Sequence, residues 1–325
     1  VISPHIGELD NAHSRGVFEQ TIADLQSLYR VSAAAVICDS HPGYASTLWA
    51  NRCGLPVHRI LHHHAHASTA YDFSTSTDPQ LVFTWDGTGY GGDGTLWGGE
   101  AFLGSPGQWQ RVASLRPFSL PGGERAGREP WRSAAALCWE AGHDWPAQPG
   151  SASILYQAWQ RQLNSPQSSA AGRLFDAAAA LTGTCTHASY EGEGPMLLEA
   201  IAEGHANAVE LPLTTNAAGL LLSDWEPLLK VLLDDGQSVA ARAGCFHASL
   251  AMALHEQARA VRKLKGVTQV GLSGGVFQNR LLTSQVVQRL QADDFSVYFP
   301  SEIPVNDAGI CFGQVLEHGF AGQLS

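Results

Sequence analysis

The chain is short of basic residues, paired cysteines and long apolar runs, and each shortage removes a class of function. Lysine and arginine total 19 against 30 aspartates and glutamates, a formal charge of −11. Nucleic-acid binding depends on clustered cations, so no nucleic-acid partner is expected. The six cysteines, Cys38, Cys53, Cys138, Cys185, Cys245 and Cys311, are scattered with no C-x-x-C pair. They suit reduced, mostly buried thiols better than disulfides or a zinc finger. No apolar run reaches the ~18 residues of a membrane span, and the N-terminus carries no signal-peptide pattern. No membrane association is expected, and the expected setting is the cytoplasm. At 325 residues the chain exceeds the ~250–300 over which a single core grows, which predicts two lobes.

Against these shortages stands an alternation of strand-like and helix-like segments. Strands are expected over Ala33–Cys38, Val57–Leu61, Gln80–Trp85, Thr95–Phe102 and Gln110–Leu115, with helices from Tyr44 to Arg52 and from His62 onward. From about Pro117 to Gly236 the texture is Ala-rich and helical, broken around Asp144–Gly150. Leu250, Leu254, Ala258 and Val261 recur at helical spacing in Ala240–Leu264 and mark a core-facing stripe. The end returns to strand Val267–Leu272, helix Arg280–Gln291, strand Phe295–Phe299 and helix Asp307–His318. The expected class is α/β, with a first lobe over 1–117 and a second over 118–325 that carries a largely helical insertion. No internal repeat is visible.

His62-His63-His64-Ala65-His66 places four imidazoles in five residues. On a helix, His62 and His66 share a face, the spacing by which two histidines hold one divalent metal. A polar strand-to-helix turn is the plainer alternative. Asp86 and Asp307 stand at strand and helix ends, where each is equally readable as a turn residue or an N-cap. Together the four make an N2O2 set, which fits iron(II), zinc or manganese by ligand type.

Two glycine-rich segments are candidates for binding phosphate. Asp86-Gly87-Thr88-Gly89 sits between strands, and Ser273-Gly274-Gly275-Val276-Phe277-Gln278-Asn279 lies between a strand and a helix N-terminus. Neither matches a Walker A loop or G-x-G-x-x-G. A pair of such turns in separate lobes points to an actin-like (ASKHA) two-lobed ATPase fold.

Six ordered motifs then carry a family resemblance across essentially the whole chain. They are the histidine cluster; Asp86-Gly-x-Gly-x-Gly-x-x-Gly-x-Leu-Trp-Gly-Gly-Glu100; Pro121-Gly-Gly-Glu-Arg-Ala-x-Arg-Glu-Pro-Trp-Arg132; Gly172-Arg-Leu-Phe-Asp-Ala-x-Ala-Ala-Leu181; Gly274-Gly-Val-Phe-Gln-Asn279; and Asn306-Asp-x-Gly309. The sequence resembles the C-terminal domain of HypF, the carbamoyltransferase of nickel–iron hydrogenase maturation, a domain related to TsaD-type tRNA-modifying ATPases. The opening Pro4–Asn11 is similar to the start of that domain.

The resemblance implies transfer of a carbamoyl group from carbamoyl adenylate to the C-terminal cysteine thiol of a HypE-like protein. It implies one divalent metal, iron or zinc, on His62, His66, Asp86 and Asp307, and Mg with ATP or the adenylate. Nucleotide contacts are implied at Gly172 and Asp176 near the ribose, around Gly194, and at Gly274, Gly275 and Asn279. Asp86, Arg125 and Arg132 are the candidate catalytic groups, although Arg125 stands where the family usually has lysine, which keeps charge but not geometry. The dense charged set Glu124, Arg125, Arg128, Glu129 and Arg132 is equally readable as a salt-bridged surface loop. A YrdC-like adenylate-forming domain, absent from this sequence, is implied in cis or in trans, and the chain is expected to be a fragment or a naturally short form. Three other readings share parts of the pattern: a TsaD-like tRNA threonylcarbamoyl transferase, an O-carbamoyltransferase of natural-product biosynthesis, and a non-catalytic nucleotide-binding module.

Overall fold

The apolar run at Gln80 becomes the middle of a mixed sheet because both of its faces are covered. In a computed structural model, the described residues are 1–322 except 5, 8, 75–78 and 205. His5 and Glu8 of the opening motif therefore lie outside the described residues, as does the side chain of Glu124. The chain begins with α1 (Ala12–Tyr29), β1 (Val36–Asp39), α2 (Ala45–Ala50), β2 (Val57–Ile60) and α3 (His62–Thr69). Then follow β3 (Gln80–Tyr90), β4 (Leu96–Gly104), β5 (Gln110–Leu115) and β6 (Phe118–Ser119). The middle holds α4 (Trp131–Ala141), α5 (Ala152–Gln160), β7 (Gln167–Ser168), α6 (Ala171–Leu181) and α7 (Glu193–Ile201). After β8 (Leu213–Thr215), β9 (Leu221–Ser223) and α8 (Glu226–Leu232) comes the long α9 (Val239–Lys265). The chain closes with β10 (Gln269–Ser273), α10 (Arg280–Ala292), β11 (Ser296–Tyr298) and α11 (Ile310–Ala321).

The main sheet runs β11-β10-β3-β4-β5-β9-β8, and β1 pairs with β2 apart from it. Alternation along β3 sends Leu81, Phe83 and Trp85 into the large core, and Val82 toward Ala67 and Ala70 beside α3. Such two-sided burial is why this segment reads as a continuous apolar run. The α9 stripe is buried at Leu250, Leu254, Ala258 and Val261, as its spacing predicts.

Four features differ from the sequence expectation. The strand at Gln80 does not stop at Trp85: it continues to Tyr90, with its register against β4 broken between Trp85 and Gly89. Asp86–Gly89 is thus an irregular stretch of strand, and the reversal comes later, where Gly91 N–H donates to the Thr95 carbonyl. Helix α1 was not foreseen: Phe18, Ile22 and Leu25 recur at helical spacing along it, but none of its residues is fully buried. The Ala-rich middle also contributes β8 and β9 to the sheet. Parallel pairing of β10 with β3 makes one sheet continuous across residue 117.

Helix α11 lies against α3 at Gly313, where a side chain would overlap the carbonyl oxygen of Ala65. That close approach brings the segment before α11 beside the histidines. Gly313→Ala should cost about 1–3 kcal/mol, the usual penalty for overfilling a packed interface. Urea unfolding should show a lower midpoint; an unchanged midpoint would mean the two helices can part without cost.

Candidate metal and nucleotide site

Helix α3 starts at His62, directly after β2, so His62 and His66 stand one turn apart on the same face. Their rings lie 4.9 Å apart between centroids. Asp86 reaches them from the irregular part of β3: its Oδ2 is 3.1 Å from His62 Nε2 and 3.4 Å from His66 Nε2. Asp307 approaches from the turn before α11, with Oδ1 3.6 Å from His62 Nε2 and 3.3 Å from His66 Nε2. The four donor atoms all lie within 4.8 Å of one another. The N-cap reading of Asp307 does not hold, because Asn306 does the capping by accepting from Ala308 N–H. The Asp307 side chain is left to face the histidines and stays 68% exposed, while the other three are buried.

Each histidine is aimed by a group on its far nitrogen. Asp39, at the end of β1, places Oδ2 3.1 Å from His62 Nδ1. Its other oxygen accepts from His41 N–H at 2.7 Å, which fixes the carboxylate. Ser273 Oγ lies 3.1 Å from His66 Nδ1 and 3.0 Å from Thr69 Oγ1. Thr69 donates to the His66 carbonyl. Ser273 therefore offers a lone pair to His66, and both Nε2 atoms face the carboxylates. Carboxylate or hydroxyl support of this kind is the usual second shell of metal-ligating histidines. The four donors thus fit a divalent ion of the iron, zinc or manganese type.

Charge follows the same geometry. Burial opposes a proton on His62, but bonds to Asp307, Asp39 and Asp86 raise its pKa well above the ordinary value. Burial would likewise raise Asp86, yet the bonds from His62 and His66 hold it well below the usual carboxylate range. His64 is turned away, 3.6 Å from Glu317. His63 is fully buried, and neither ring nitrogen has a hydrogen-bond partner among the described residues; Gly89 keeps its space open.

The glycine turn after β10 is tied directly to this cluster. Gly275 N–H donates to Asp86 Oδ1 at 3.0 Å, and Gly274 N–H to the Val305 carbonyl at 2.8 Å. Gly274 has φ +108°, and a side chain there would overlap the Trp85 carbonyl. The start of α10, by contrast, is already filled. Glu199 Oε1 accepts from the N–H groups of Arg280 and Leu281. Asn279 Oδ1 accepts from Leu282 N–H, and its Nδ2 donates to His247 Nε2. Asn279 therefore serves the protein with both ends of its amide.

Helix α6 abuts the glycine-rich strand through Gly172, where an added Cβ would lie 2.8 Å from Gly87 Cα. Gly194 performs a packing role, with Ala179 Cβ 3.1 Å from where its own would stand. Arg132 is held by Glu129 at 2.7 Å and lies over the Trp131 ring. Arg125 is exposed, and among the described contacts neither arginine reaches the four donors. Sequence reasoning missed Asp39, Ser273 and Thr69. For Asp39 the only local signal was a carboxylate ending a strand.

Asp176 is buried beneath this surface, and its carboxyl is pushed up to about 7, by burial first, with Arg173 pulling the other way. An unfolded aspartate titrates at about 4. Between these values the folded chain holds a proton that the unfolded chain has lost, so stability is greatest below the window and falls as pH rises through it. Asp176→Asn should remove this loss, on the order of 1 kcal/mol per pH unit. Urea midpoints measured from pH 4 to 8 should converge at the acid end, with the variant more stable at pH 8. Parallel curves would contradict it.

Comparison with known proteins agrees with this architecture. The family model described as "Carbamoyltransferase, Kae1-like Domain, second subdomain" matches residues 82–314, and "HypF Kae1-like domain" matches residues 1–71. Carbamoyltransferase HypF of Synechocystis sp. is 35% identical over 97% of the chain, which covers 44% of that protein. A Carbamoyltransferase HypF homolog of Cupriavidus necator is 33% identical over 96% of the chain and 84% of its own length. The crystal structure of full-length HypF in the phosphate- and nucleotide-bound form superposes with a TM-score of 0.91 at 30% identity, over 98% of this chain and 51% of that one. The chain spans about half the length of most of these relatives, and its fold is the Kae1-like, actin-like α/β fold they share. The chain belongs to the HypF carbamoyltransferase family, as its Kae1-like domain.

Proposed function

We propose that the chain transfers a carbamoyl group from carbamoyl adenylate to the C-terminal cysteine thiol of a HypE-like acceptor. The observation that carries this reading is Asp86, which hydrogen-bonds the glycine turn with one oxygen and faces both histidines with the other. A site for phosphate and a site for a metal are thereby adjacent. The chain's relatives are carbamoyltransferases, which supports carbamoyl transfer, and full-length HypF has been solved with phosphate and nucleotide bound. The adenylate comes from a YrdC-like domain, in cis or in trans.

In this reading His62, His66, Asp86 and Asp307 hold one divalent metal, iron or zinc, and ATP arrives with Mg. A metal on these four residues would supply Lewis-acid charge stabilisation to the transfer. The chain's own groups do the positioning. Gly274 and Gly275 bring backbone close to the phosphate, while Gly172, packed on Gly87, and Asp176, buried on α6, present almost no exposed surface to a ribose in this conformation. Aligning the carbamoyl carbon with the incoming thiol lowers the barrier by orientation. No cysteine of this chain is needed as nucleophile. Burial raises the pKa of Cys38 and Cys185 and pushes Cys138 up to about 12, so these three stay as thiols.

The metal is tested by elemental analysis and chelator competition. His62→Ala and Asp307→Ala should lose most bound metal, and His64→Ala should keep it. Asp39→Asn should weaken affinity by about 10–100-fold, the usual cost of losing a second-shell partner. Full occupancy in both His62→Ala and Asp307→Ala would remove the proposed site.

The acceptor is tested with Asp86→Ala. Its body contacts surface outside the cleft, so a pull-down should retain the acceptor while turnover falls by a factor of at least about 100, as for loss of one charge-stabilising group. Transfer to a small hydroxylated acceptor, with no HypE-like protein bound or modified, would favour the natural-product reading.

A further inference from the structure

Beside the glycine-rich strand lies a charged group that plays no part in the donor cluster. Arg173, on α6, has a side chain only 5% exposed, and its Nη2 donates to Glu191 Oε1 at 2.8 Å. Its Nε has no hydrogen-bond partner among the described residues. Asp176 Oδ2 lies 3.1 Å from Nη1 without an aligned hydrogen bond. Glu191 comes from the turn before α7, next to Gly192 at φ +88°, and its side chain is 56% exposed. A buried cation is thus covered by a carboxylate reaching in from the surface.

Two glycines make the space. A side chain at Gly87 would fall 3.0 Å from Glu191 Oε1 and 3.4 Å from Arg173 Nη2. One at Gly127 would fall 2.8 Å from Arg173 Nη1 and 3.5 Å from Glu191 Oε1. Gly87 follows Asp86, and Gly127 ends the short helical turn of the Pro121–Arg132 segment. A guanidinium offers a planar fork that fits carboxylate or phosphate oxygens. Leaving it buried and unpaired is costly, but exchanging one anion for another keeps it paired.

We propose that Arg173, Gly87 and Gly127 form an anion subsite of the cleft, where the Glu191 carboxylate stands in for a carboxylate or phosphate group of a ligand. This rests on the reading of the cleft as a nucleotide and acceptor site. Two ligands carry the required chemistry: the nucleotide through its phosphate, and an acceptor tail through the α-carboxylate of its terminal cysteine.

The test is calorimetric titration of the full chain with inorganic phosphate and with a short peptide ending in cysteine, as free acid and as C-terminal amide. Because Glu191 competes for Arg173, Glu191→Gln should bind one of the two anions about tenfold more tightly than wild type. Arg173→Gln should bind that anion more weakly, and the amide peptide should gain nothing. A response to phosphate marks the nucleotide as the source; a response to the free-acid peptide marks the acceptor. Unchanged or weaker binding of both anions by Glu191→Gln overturns the subsite, since a merely structural ion pair predicts no gain. Should Arg173→Gln fail to fold, the exposed Glu191 variant decides alone. Adenosine, titrated in parallel, separates the two readings. A gain in anion affinity without adenosine binding keeps the subsite and removes the nucleotide reading, and the reverse pattern does the opposite.

Discussion

Asp86 is the residue through which the site is assembled. One carboxylate oxygen faces the two histidines of α3, and the other accepts the N–H of Gly275. This is possible because β3 pairs in parallel with β10, so Asp86, two residues past Thr84, comes level with Gly275, two residues past its partner Ser273. The irregular register after Trp85 then turns the carboxylate out of the ladder and toward the histidines. His66 is attached to the same turn through Ser273, and the segment carrying Asp307 through the bond from Gly274 to Val305. Three of the four donors are therefore anchored to residues 273–275. A shift of that turn would move them all.

The remaining support comes from the smaller sheet. Parallel pairing of β1 with β2 sets Asp39 opposite Ile60, just ahead of α3, and so brings a carboxylate to the far side of His62. The two histidines are held unequally: a carboxylate aims His62, and a hydroxyl aims His66. Charge support makes the His62 nitrogen the more basic donor. The exposed Asp307 side chain closes the group from the solvent side, on a turn held in place by the contact of α11 with α3.

Much of this was legible in the sequence where the signal is local. A four-residue histidine spacing reads correctly because helical periodicity decides which side chains share a face. The α9 stripe and strand β5 were readable for the same kind of reason. What escaped depends on contacts between distant segments. Nothing near Asp39 announces His62 as its partner. Asn279 looks like a ligand-facing residue until His247, on another helix, is found on its amide. Arg125 and Arg132 were chosen for charge in a dense motif, yet one is exposed and the other is spent on Glu129. Arg173 lay between Gly172 and Asp176, and the one cation of a helix whose other charged residue is Asp176 was the available signal.

The account stands most directly on one reaction. The chain, loaded with zinc or iron, is incubated with carbamoyl adenylate and a HypE-like acceptor, and the acceptor is analysed by mass spectrometry. The account predicts one carbamoyl group on the acceptor's C-terminal cysteine, absent when the chain is omitted. An unmodified acceptor, with adenylate intact and the protein folded and metal-loaded, would contradict it.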